Sequence, residues 1–111
     1  MNQYSCEQAM SSSRITAHFQ GIWVPMVTPF RDGEIDFDAA QQLASELATS
    51  GVDGLVVCGT TGEAAMLSAA EHTMLLDSVL EAIGPRFPVV MGIGGSDTRS
   101  VVATVQRYHD H

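Results

Sequence analysis

The residues with chemical potential lie in one run, Gly54 to Glu71, which reads GLVVCGTTGEAAMLSAAE. An apolar stretch enters Gly59, Thr60, Thr61, Gly62 and Glu63, so two adjacent hydroxyls stand between two glycines. Glycine lets the backbone approach a ligand closely, because no Cβ stands in the way. Backbone N–H groups and hydroxyls in such a loop are donors suited to a carboxylate. On spacing alone, a plain tight turn fits at least as well, with Thr60 and Thr61 bonded to nearby backbone. Glu63 reads as an acid in the first turn of a helix.

Other reactive side chains are weaker candidates. Cys6 and Cys58 form no CxxC pair and no metal-ligand spacing, so reduced thiols are expected rather than a disulfide framework or zinc site. Cys58 ends an apolar run, where a free cysteine serves as a small hydrophobe. His109 and His111 flank Asp110, but no further ligand is predictable beside them, so they read as an exposed helix end. His72 reads as a solvated helix residue, and His18 carries no signal. Asp32, Glu34, Asp36 and Asp38 alternate along a loop into the start of the first helix, without the spacing of an EF-hand loop. Met26, Met66, Met74 and Met91 are expected to fill packed segments. No metal site is expected.

These groups need elements to hold them. Residues 1–19 are a polar lead-in with Ser11, Ser12 and Ser13 at its centre, and the folded pattern occupies 20–111. Apolar runs at Ile22 to Val27, Leu55 to Cys58 and Val89 to Met91 are nearly continuous, as in parallel strands covered on both faces. A first helix carries Ala40, Leu43, Ala44, Leu47 and Ala48 on one stripe, with Asp36 as N-cap and Gly51 as stop. Ser68 and Glu71 form a capping box for a second helix, which buries Leu75, Leu76, Val79, Leu80 and Ile83 and ends at Gly84 and Pro85. A third helix opens near Asp97 and is expected to turn Val101, Val102, Val105 and Tyr108 inward. The order is α/β, with strand starts at 22, 55 and 89. That rhythm suits either a doubly wound sheet or an eight-fold βα barrel.

The chain has 111 residues, with 13 acids against 5 bases and a formal charge of -8. An acidic chain lacks the basic patches that nucleic acid or an anionic membrane requires. No signal peptide or membrane-spanning run stands out, and a cytoplasmic location is expected. All five bases are arginine, at positions 14, 31, 86, 99 and 107; there is no lysine.

The GTTGE loop resembles the signature of the dihydrodipicolinate synthase and N-acetylneuraminate lyase family, which reads G-[ST]-T-G-E after a hydrophobic strand. Val27, Thr28, Pro29 and Phe30 are similar to the end of that family's first strand, and Phe37 and Asp38 to the start of its first helix. The segment Val90 to Thr98 is similar to its glycine-rich third strand end. The resemblance implies an N-terminal portion, the first three βα units of a (β/α)8 TIM barrel. It also implies a Schiff-base lyase that condenses pyruvate with an aldehyde, aspartate semialdehyde in the branch that Thr60 favours over serine. Alternatives within the family are N-acetylneuraminate and 2-keto-3-deoxy-sugar acid lyases. By the resemblance, Thr61 holds the pyruvate carboxylate, Thr60 takes part in a proton relay, and Gly59, Gly62 and Glu63 shape the loop. The complete family member is a homo-oligomer, a tetramer or dimer, without a cofactor.

The family's lysine and relay tyrosines have no counterpart here; Tyr4 and Tyr108 fall elsewhere. Imine chemistry needs a primary amine, and arginine stays protonated. A barrel typically takes about 250 residues. The lone chain is therefore expected to be inactive, and marginal, aggregation-prone or partner-dependent, since open sheet edges invite association. Two readings outside catalysis remain. One is an assembly module complementing a separate barrel piece or an intact homologue; the other is a small carboxylate-binding α/β domain.

Overall fold

A computed structural model describes residues 19–111. The lead-in with Tyr4, Cys6, Ser11 to Ser13, Arg14 and His18 lies outside the described residues. The elements are β1 (Trp23–Pro25), β2 (Phe30–Arg31), β3 (Glu34–Ile35), α1 (Phe37–Ala48), β4 (Gly54–Val57), a 3-10 turn (Ala64–Met66), α2 (Ala69–Ile83), β5 (Val89–Met91) and α3 (Thr98–Arg107).

The main sheet is parallel, in the order β1-β4-β5. Its register aligns Val24 with Leu55 and Leu55 with Val89, and it sets Val57 opposite Met91. Side chains alternate along a strand, so these residues share one face. That face is the core: Leu55 and Val57 are buried against Ala40 and Ala44 of α1 and Leu75 and Val79 of α2. The intervening Pro25, Val56 and Val90 belong to the other face, and none of them is buried. Among the described residues the sheet is not closed, and β1 and β5 each have one unpaired edge. This is the α/β pattern with parallel strands expected from the sequence.

The helix ends follow the expected chemistry. Asp36 caps α1 by accepting from the Ala39 N–H, and it also accepts from Arg31 at 2.9 Å. Gly51, with φ +99°, turns the chain after α1. Ser68 accepts from the Glu71 N–H while Glu71 accepts from the Ser68 N–H at 2.7 Å, which completes the capping box of α2. Ser68→Ala removes a cap of the kind that contributes about 1 kcal/mol. Asp97 caps α3, accepting from Arg99 and Ser100.

Several expectations fail. The first strand is shorter than Ile22 to Val27, because Ile22 and Val27 are exposed beyond its paired residues. Met66 and Met74 are exposed, not packed, since neither the 3-10 turn nor that side of α2 has an element over it. Val102 and Val105 on α3 are also exposed, at 50% and 51%; only one side of this helix meets the rest of the described chain. The acidic segment is a hairpin, not an irregular loop. Asp32 and Gly33, both with positive φ, form the two-residue turn between β2 and β3.

Candidate functional site

Parallel βα units put their ligands at the carboxyl ends of the strands. β4, the middle strand, ends at Val57 and enters the threonine loop directly. Cys58 (φ +56°) and Glu63 (φ +55°) bracket the loop in the left-handed region, which residues with a Cβ seldom adopt. Inside it, Gly62 N–H donates to Gly59 O at 3.1 Å, Glu63 N–H to Thr60 O at 3.0 Å, and Ala64 N–H to Gly59 O at 3.4 Å. The loop is thus a compact pair of turns that runs into the 3-10 segment.

It is held on both sides. Toward β5, Gly92 N–H donates to Val57 O at 2.7 Å, and a Cβ on Gly92 would meet Cys58 O at 2.3 Å. Toward β1, buried Thr28 donates its hydroxyl to Gly62 O at 2.7 Å. A Cβ on Gly62 would stand 3.0 Å from Met26 O. Thr60 and Thr61 lie between these supports, exposed. Among the described residues, neither their hydroxyls nor their N–H groups make a hydrogen bond. The local bonding that a plain turn offers these hydroxyls is therefore not made.

A cleft of about 690 Å³ opens between this loop, the glycines after β5, α2 and α3. Gly59, Thr60, Glu63, His72, Arg107 and Tyr108 are among its walls, whereas Thr61 and Gly62 are not. His72 is not a solvated helix residue: its Nε2 lies 2.8 Å from Ala64 O, so the ring braces the 3-10 turn. Tyr108 does turn inward, with its hydroxyl 2.8 Å from Thr73 Oγ1. His111 pairs with Asp77 and His109 with Asp110, and no cluster of metal-binding side chains occurs among the described residues. Burial raises the Cys58 thiol to about 11, which keeps it protonated at neutral pH.

Sequence reasoning missed Thr28 and His72 as supports of the loop. Thr28 gives no local signal, because its partner is 34 residues away. His72 lies eight residues beyond the carbonyl it braces, and an irregular turn separates the two.

Parallel strands, each followed by a helix, with a donor-rich loop at the carboxyl end of the middle strand, define a protein of repeated βα units. Residues 18–111 match the Dihydrodipicolinate synthetase family, and the chain belongs to it. It is 44% identical over 99 residues to 4-hydroxy-tetrahydrodipicolinate synthase of Acidothermus cellulolyticus, an alignment covering 88% of this chain and 32% of that protein. Among solved structures, dihydrodipicolinate synthase of Acinetobacter baumannii complexed with pyruvate superposes with TM-score 0.79 at 32% identity, covering 84% of this chain and 32% of that one. The Aquifex aeolicus dihydrodipicolinate synthase superposes with TM-score 0.73 at 36% identity, covering 78% and 29%. The chain spans about a third of the length of the relatives it matches.

Proposed function

We propose that this chain supplies the first three βα units of a cytoplasmic pyruvate-dependent Schiff-base lyase of the 4-hydroxy-tetrahydrodipicolinate synthase type. Residues 20–111 form the barrel portion, behind a polar lead-in of 1–19. The observation that carries the reading is the threonine loop: two hydroxyls and their N–H groups, free of internal partners, at the carboxyl end of β4. The family and the pyruvate complex of the Acinetobacter baumannii relative support it.

In this reading, Thr61 holds the pyruvate carboxylate with its hydroxyl and N–H, which orients the keto carbon toward an amine. The Thr60 hydroxyl passes a proton between that centre and a tyrosine. Glu63 holds the loop's left-handed corner, while Gly59 and Gly62 let the turns close. The amine comes from another part of the barrel, because the chain has no lysine. This polypeptide alone is inactive, and it acts when joined to the remaining units in an oligomer of complete barrels. The aldehyde partner is aspartate semialdehyde.

The exposed Val102 and Val105 and the unpaired edges of β1 and β5 favour assembly onto such a piece over an independent carboxylate-binding domain. The test is reconstitution with the C-terminal two thirds of a relative, assayed for pyruvate condensation. Activity in the mixture only, with Thr61→Ala raising the KM for pyruvate, supports the reading. Activity of the lone chain, or a Thr61→Ala mixture that matches the wild type, refutes it.

A further inference from the structure

Thr28 is the one buried polar side chain among the described residues, at 5% exposure. Its hydroxyl donates to Gly62 O at 2.7 Å, linking the end of the β1 segment to the loop after β4. Gly62 is itself buried, so its carbonyl has little access to water as an alternative donor. Thr60 and Thr61 have no side-chain bonds of their own, so their placement is inherited from the loop's supports. One support is the packing of Cys58 and Gly59 on Gly92, and the other is Thr28. The bonds from Gly62 to Gly59 and from Glu63 to Thr60 make the loop move as one body. A displacement at Gly62 is therefore passed directly to Thr61.

We infer that Thr28 is a positioning residue for the threonine loop, its hydrogen bond to Gly62 fixing where the Thr61 N–H and hydroxyl stand. The consequence for ligand binding rests on the carboxylate role proposed for Thr61; the effect on the loop does not. Thr28→Val keeps the shape and removes the donor, whereas Thr28→Ser keeps the donor. Gly62→Ala disturbs the same contact from the opposite side, since its Cβ would stand 3.3 Å from Thr28 Oγ1.

The experiment is hydrogen–deuterium exchange by mass spectrometry on the full chain mixed with the complementary C-terminal piece of a relative, comparing the peptide over 59–64 with α2, with and without pyruvate. Thr28→Val is expected to speed exchange in the loop about fivefold, the scale of one lost hydrogen bond. α2 should remain unchanged, and Thr28→Ser should restore the loop. Pyruvate should protect the loop in wild type and Thr28→Ser, and less in Thr28→Val. If Thr28→Val does not fold, Gly62→Ala is read in its place, with the same local rise expected. Three results overturn the inference: a loop unaffected by Thr28→Val, equal acceleration in loop and α2, or a Thr28→Ser that behaves like the valine. A loop that loosens as expected while pyruvate protects no variant upholds Thr28 and instead removes the carboxylate role of Thr61.

Discussion

Two glycines in the segment after β5 should respond oppositely to alanine, for a reason visible only in three dimensions. A Cβ on Gly92 would lie 2.3 Å from Cys58 O, 2.9 Å from Cys58 C and 3.1 Å from Gly59 Cα. All three are backbone atoms, so no side chain can rotate away, and β5 must separate from the end of β4. Overpacking of this kind costs about 1–3 kcal/mol. The Gly92 N–H bond to Val57 O, 2.7 Å long, would be strained as well. A Cβ on Gly94 meets nothing within 4 Å, and Gly94 is not in the left-handed region. Gly94→Ala should therefore be neutral or stabilising by about 0.4–1 kcal/mol, through a less flexible unfolded chain. Exchange of the sheet amides in Leu55 to Val57 and Val89 to Met91 reads the difference. A loss of about 2 kcal/mol speeds exchange roughly thirtyfold where opening is global. Equal rates for the two variants would show that the close approach of Gly92 to Cys58 is not what joins β4 and β5.

The Cys58 thiol, raised to about 11 from an ordinary 9.0 by burial, should be a poor nucleophile. At pH 8 its thiolate fraction is about a hundredfold below that of an unfolded thiol, so disulfide-exchange labelling of a Cys6→Ser variant should slow at least that much on folding. Rapid labelling of the folded chain would contradict this burial. Because the folded thiol binds its proton more tightly than the unfolded one, it also lowers stability as pH rises from about 9 toward 11, and Cys58→Ala should flatten that limb. Asp36 is held below the usual carboxylate range by the Ala39 N–H and by Arg31, and Asp97 by Ser100 and the Arg99 N–H. Carboxylates with lowered folded values stabilise above the unfolded value of 3.8 and lose that effect as pH falls through the folded value. Acid unfolding of Asp36→Asn combined with Asp97→Asn should thus depend less on pH below 4 than the wild type.

What was legible in the sequence was local. The capping box at Ser68 and Glu71, the caps at Asp36 and Asp97 and the three strand cores act within a few residues, and each formed as expected. The hairpin was legible too, because Asp32 followed by Gly33 is a two-residue turn signal, but the alternating acids around it drew the reading toward a loop. Burial on α3 and at Met66 was not legible, since periodicity marks an apolar face without saying whether an element covers it. Thr60 and Thr61 stood out by type and by their place after an apolar run, but spacing alone left a plain turn open, and a role for them came only with the family resemblance. Their supports did not, because Thr28, His72 and Gly92 act across the fold.

We propose that this chain contributes a carboxylate-holding loop to an imine-forming lyase whose amine lies on other units. That role is tested most directly by borohydride reduction in the presence of pyruvate, followed by mass spectrometry of each polypeptide. With the complementary C-terminal piece of a relative, the adduct should form on a lysine of that piece and only when both are present, while this chain stays unmodified. A reduced pyruvate adduct on this chain, or trapping by the C-terminal piece that is indifferent to this chain, would show that the threonine loop does not serve an amine on other units.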